Sequence, residues 1–129
     1  MNELKKLTKE LLDITNNAND IYMKKREAQI KGDFFSEVKP FADHAKAVSD
    51  KWKELSLTWL RETSGKRYIH PMQIQATVEN LELVCVQAFF PETSFKRFKS
   101  YIQSISYVLK EMMYELENAE NKKARGKED

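Results

Sequence analysis

A chain of 129 residues, 41% hydrophobic and 33% charged, has the size and polarity of one globular domain rather than of a disordered chain. Its formal charge of +2 is too small to imply nucleic acid by itself, and its single cysteine, Cys85, rules out an intrachain disulfide and suits a reducing compartment. No apolar run approaches the ~20 residues needed to span a bilayer, and the N-terminus lacks the basic-then-apolar layout of a secretory signal; a cytoplasmic setting with no membrane partner is expected.

Only three glycines and three prolines are available for turns, so the elements must be long. Leu4, Leu7, Leu11, Ile14, Ala18 and Ile21 step by 3, 4, 3, 4 and 3, which predicts an amphipathic helix from Asn2 to about Ile30. Lys24, Lys25, Arg26 and Lys31 gather near its negative pole, and Gly32 offers the stop. Asp33 is the expected cap of a second helix. Its seam runs through Phe34, Val38, Phe41, Ala45, Val48, Trp52, Leu55 and Trp59, and Ser64-Gly65 closes it. Pro40 removes a hydrogen bond within this helix, so a kink or brief break is expected near Ser36 to Lys39.

Pro71 suits the first position of a third helix, whose seam is Ile74, Val78, Leu81, Cys85 and Ala88, ending at Phe90-Pro91. Ser94 is the expected cap of the fourth, with Glu92 and Thr93 competing for that role, and Phe95, Phe98, Ile102, Ile105, Leu109, Met112 and Leu116 form its seam. Four amphipathic helices joined by short connections predict an all-α fold. It is an antiparallel up-down-up-down four-helix bundle over residues 1–117, kinked in helix two near Pro40, with a charged, disordered tail over 118–129.

Asp33-Phe34-Phe35 with Val38-Lys39-Pro40, Trp52, Lys66-Arg67-Tyr68-Ile69-His70 with Gln73-Ile74, and Lys96-Arg97-Phe98-Lys99 together resemble the YppE-like family. The resemblance covers roughly residues 33 to 116. It implies a small bacterial antiparallel helical bundle of unknown function, and it supplies no catalytic or ligand residues.

The seams themselves contain no Asp, Glu or His, so neither a di-metal site nor a cofactor is expected. His44 reads as a boundary residue, His70 as a cap or loop anchor before Pro71, and Cys85 as a small hydrophobe on its seam. Glycine-rich phosphate loops and nucleophile signatures are absent, so no catalytic residue is assigned and the protein is not expected to be an enzyme.

One asymmetry stands out. The predicted topology brings all seven phenylalanines to one end, beside Lys24, Lys25, Arg26, Lys31, Lys39, Lys96, Arg97 and Lys99. The plain reading is a packed core end whose phenylalanines split between core and flank; the functional reading is a contact surface of Phe35, Lys39, Phe90, Lys96, Arg97 and Lys99. Trp59, Leu60 and Tyr68 are expected to cluster at the opposite end, with Leu60 off the seam. Leu83, Val84 and Val86 on helix three, and Tyr101, Tyr107, Val108, Met113 and Tyr114 on helix four, widen two apolar faces that could be buried internally or used in a dimer. The expected function is a non-catalytic protein-interaction or scaffold module, with a protein partner or a homodimer. Anion or nucleic-acid binding at the basic end is the alternative, and nucleic acid is not favoured.

Overall fold

In the computed structural model, residues 2–63 and 69–128 are described, with side chains as far as residue 122. Four α-helices account for most of the chain: α1 (Asn2–Ala28), α2 (Lys39–Glu62), α3 (Pro71–Gln87) and α4 (Phe95–Glu128). Each packs on its neighbour in sequence and α1 also packs on α4, which closes a four-membered ring. Cross-helix contacts fix the directions. Lys25 reaches Glu37 while Trp52 reaches Thr8, and Tyr22 stacks on Phe98 while Lys5 reaches Glu120, so α1 runs antiparallel to both α2 and α4. Phe41 against Phe89 and Lys46 against Glu82 do the same for α2 and α3. The result is the expected antiparallel bundle. Among the described residues no helix is long and apolar enough to cross a membrane.

The core is continuous from Leu4, Trp59 and Leu116 at one end to Tyr22, Phe89 and Phe98 at the other. Along α1 its line is rotated from the expected seam. Leu4, Thr8, Leu11, Thr15, Ala18 and Tyr22 face inward, whereas Leu7 and Ile21 are only half-buried. Two threonines are tolerated inside because each hydroxyl donates to the carbonyl four residues back, Thr8 to Leu4 and Thr15 to Leu11, at 2.7 Å. The hydroxyl of Thr77 does the same to Gln73. In α2, Ser49 and Ser56 are buried beside Val48, Trp52 and Trp59. Leu60 is buried as well, which corrects its placement off the seam.

The helix ends follow local chemistry. α1 stops before Gly32: Gln29 takes the left-handed conformation (φ 56°) and the Ile30 N–H returns to the Lys25 carbonyl, so a non-glycine residue closes the helix. The Asp33 cap opens a five-residue π-helical turn, Phe34–Val38, with the Val38 N–H bonded to the Asp33 carbonyl. α2 then starts at Lys39 with Pro40 in its first turn, where a missing N–H costs little. The expected break is this change of winding. Pro71 opens α3, and the N–H of His70 donates to Gln73 Oε1 at 2.8 Å. The backbone N–H of Arg97 donates to Ser94 Oγ at 3.3 Å, capping α4. α4 carries on as helix to Glu128 through the segment expected to be a disordered tail. Ser64-Gly65, the Lys66–Tyr68 stretch and the clustering of Tyr68 with Trp59 lie outside the described residues.

Candidate functional site

At the end of the bundle where α1 passes into the π turn, residues 29–33 lie against the α3–α4 connection, residues 88–94. The Gly32 N–H donates to the Phe89 carbonyl at 2.7 Å. A Cβ on Gly32 would stand 2.8 Å from both Cβ and Cδ1 of Phe89, so this position needs glycine for close approach. Asp33 accepts from the backbone N–H and the hydroxyl of Ser36, both at 2.8 Å. Glu37 accepts from the Asp33 N–H at 2.7 Å and from the Lys25 ammonium at 2.8 Å. The Ser36 donors hold the Asp33 carboxyl below its ordinary range, and the Lys25 ammonium followed by the Asp33 amide does the same for Glu37. The turn is therefore held from both sides.

That turn carries Phe34 and Phe35 outward, 54% and 78% exposed, packed edge to face at 5.1 Å. The other five phenylalanines are tied down to different degrees. Phe89 and Phe98 are buried, against Phe41 at 5.7 Å and Tyr22 at 4.1 Å. Phe41 and Phe90 are half-buried, and Phe90 lies under the Lys31 ammonium at 5.8 Å. Phe95, expected on the seam of α4, is instead 43% exposed between Arg26 at 5.2 Å and Lys99 at 5.5 Å. Two cations flanking one ring offset its exposure.

The cations are less available than their number suggests. Lys25 is engaged by Glu37, Lys39 by Asp43 at 2.8 Å, and Lys99 by Asn19 at 2.5 Å. Arg26 donates to the Tyr22 hydroxyl, which itself donates to the Thr93 carbonyl at 2.6 Å. Among the described residues, Lys24, Lys96 and Arg97 make no ion pair, and Arg97 lines a shallow pocket of about 170 Å³ with Gln87, Thr93, Ser94 and Tyr101.

The structure thus puts all six residues of the expected contact surface at one end, on two sides of it. Phe35 and Lys39 belong to the π turn and the start of α2; Phe90, Lys96, Arg97 and Lys99 belong to the α3–α4 side, and no ring contact joins Phe35 to Phe90. Phe34, counted on the seam from its spacing, joins the exposed group. The other groups weighed for chemistry lie apart. His44 pairs with Glu10 at 3.2 Å on the α1–α2 surface, His70 stands before α3, and burial pushes the Cys85 thiol up to about 12. Among the described residues no three His, Cys, Asp or Glu side chains are placed to hold a metal ion.

Similarity to known proteins falls over this same fold. A family model described as a bacterial domain of unknown function (DUF1798) matches residues 8–116. The uncharacterized protein YppE of Bacillus subtilis is 26% identical over 106 residues, which cover 82% of this chain and 85% of that protein. The X-ray structure of YppE superposes with a TM-score of 0.86 at 24% identity, covering 92% of this chain and 95% of that one. A crystal structure of a Listeria innocua protein of unknown function gives a TM-score of 0.83 at 29% identity, covering 92% of this chain and 94% of that one.

Proposed function

Since the chain belongs to the DUF1798 family, bacterial domains of unknown function, we propose from its surface that it is a non-catalytic protein-interaction module of the cytoplasm that contacts its partner through the π turn. The observation that carries this reading is the exposed Phe34–Phe35 pair on a turn pinned by Asp33, Glu37 and Gly32. Two adjacent aromatic rings held out on a fixed backbone lose little entropy on binding and bring large apolar area, the character of an interface anchor. Lys39, at the start of α2 and paired with Asp43, adds a charged group beside the turn. Affinity purification from the native host tests it: a partner co-elutes with the wild type and is lost with Phe34→Ser/Phe35→Ser. Equal recovery with both proteins would remove the π turn from the interface.

The second reading, anion or nucleic-acid binding, draws on Lys96 and Arg97, which open α4 without an ion pair at a pole that is already positive. It predicts retention on a polyanion resin that falls steeply with salt and weakens in Lys96→Ala/Arg97→Ala. No retention at low salt would exclude it.

A further inference from the structure

Where α1 ends beside the start of α4, Phe95 is 43% exposed with two cations against its ring, Arg26 at 5.2 Å and Lys99 at 5.5 Å. Both cations are held by neutral groups. Arg26 donates to the Tyr22 hydroxyl at 3.2 Å, and Lys99 donates to the side-chain carbonyl of Asn19 at 2.5 Å. Tyr22 is itself fixed, its ring buried against Phe98 and its hydroxyl donating to the Thr93 carbonyl. Two long side chains are thus ordered without their charge being neutralised. Among the described residues, the carboxylates of the same segments, Asp20, Glu27 and Glu92, pair with neither cation, whereas Lys5, Lys25, Lys39 and Lys46 each reach a carboxylate. The ring offsets only part of the charge, because it offers a quadrupole and no lone pair for the N–H donors.

The positions of the two charges select the anion. The Tyr22 hydroxyl sets Arg26 at the Thr93 end of the ring, while Lys99 stands one turn further along α4 and is drawn to Asn19. The charges therefore lie on either side of Phe95, and the two ring distances bound their separation at about 11 Å. A single phosphate making charge-assisted bonds of about 2.7–2.9 Å falls short of a span near that bound. Two linked phosphoryl groups cover it and bring the matching charge. Arg26 is also a wall of an open pocket of about 600 Å³, shared with Met23, Glu27, Gln29 and Pro91. Glu27 repels an anion there, and Met23 and Pro91 are apolar, so the pocket suits an uncharged group.

We propose that this flank of α1 and α4 binds a diphosphate ester. The diphosphate runs along the exposed edge of Phe95 from Lys99 to Arg26, and the uncharged body attached to it rests in the pocket beside Met23. Arg26 supplies a planar fork to one phosphoryl group and Lys99 a point charge to the other. Tyr22 and Asn19 act as positioning residues. The site lies apart from the π turn and uses neither Lys96 nor Arg97, so it depends on neither reading given above.

Calorimetric titration of the full chain without divalent cations tests the assignment, with pyrophosphate and ADP as probes. Both are expected to bind, ADP the more tightly, and inorganic phosphate is expected to bind about tenfold more weakly than pyrophosphate. Arg26→Gln/Lys99→Gln is expected to lose about tenfold or more toward both probes with unchanged helical circular dichroism. Lys96→Ala/Arg97→Ala is expected to leave both affinities as they are. Met23→Trp, which fills the pocket, is expected to remove the advantage of ADP and to leave pyrophosphate binding unchanged. A wild type that takes up neither probe overturns the proposal, and so does a double variant that binds as well as the wild type. Inorganic phosphate binding as tightly as pyrophosphate overturns it as well. A single-stranded oligonucleotide that displaces pyrophosphate would assign the two cations to a nucleic-acid backbone instead, which also overturns it.

Discussion

The indole N–H of Trp52 donates to the hydroxyl of Thr8 at 2.9 Å, a buried bond between residues 44 apart in sequence. The Thr8 hydroxyl in turn donates a hydrogen bond to the Leu4 carbonyl, so α2 is tied through one hydroxyl to the backbone of α1. Trp52 is wholly buried, and Trp52→Ala is expected to cost about 3–5 kcal/mol. Thr8→Val keeps the volume but strands the indole N–H, at about 1–3 kcal/mol. Urea denaturation checks both, and a loss under about 1 kcal/mol for Trp52→Ala would contradict the packing of α2.

Gly32 and Phe89 form the second testable pair. Gly32→Ala forces its methyl group against Phe89 and is expected to destabilise by about 1–3 kcal/mol. Phe89→Ala removes Cγ and Cδ1 and leaves only the Cβ contact, so Gly32→Ala should cost less in that background than in the wild type. A double-mutant cycle reads the coupling, and strict additivity would show that the close approach is not what limits position 32.

Ser56 is fully buried, and its hydroxyl has no hydrogen-bond partner among the described residues. Ser56→Ala removes a polar atom that gains nothing from burial and leaves the volume nearly unchanged. It is expected to raise stability, by about 1 kcal/mol. An increase in the denaturation midpoint with an unchanged slope is the signature; a decrease would mean that the hydroxyl is satisfied in solution.

Acid should loosen the π turn. Asp33 and Glu37 both have folded values below their ordinary 3.8 and 4.5, so their contribution is complete above those values and is lost as pH falls through the lower folded ones. Asp33→Asn/Glu37→Gln keeps hydrogen-bonding atoms in place but removes the titration. Thermal melts between neutral pH and about pH 3 should show a smaller drop in Tm for this variant than for the wild type.

Most of the architecture could be read from the spacing of large apolar residues, because a 3.6-residue period needs no knowledge of the partner helix. What that reading missed has specific causes. Thr8, Thr15, Ser49 and Ser56 count as polar in a sequence, yet they lie on inward faces, and the threonines satisfy themselves on their own helix. Gly32 reads as a helix stop because glycine is the usual residue there, whereas its real constraint is Phe89, far along the chain. The spacing that puts Phe34 on the seam assumes α-helical winding, and the π turn breaks that spacing. Phe95 misled in the same way, since Arg26 and Lys99 cover a ring that the pattern sent to the core. At the candidate site, Asp33 was legible as a cap, whereas the reciprocal grip of Glu37 and Lys25 depends on α1 returning alongside the turn.

The closure of α1 on α4 sets an order on biosynthesis. Tyr22 is completed only by Thr93 and Phe98, and Lys5 by Glu120, so one side of the first helix stays uncovered until the last has been translated. At ribosomal rates of about 5–20 residues per second, the 34 residues of α4 take roughly 2–7 s to appear. Over that interval α1, α2 and α3 can assemble only as an open trough, with apolar side chains of α1 facing water. For those seconds the nascent chain carries apolar surface that only its own last helix will cover.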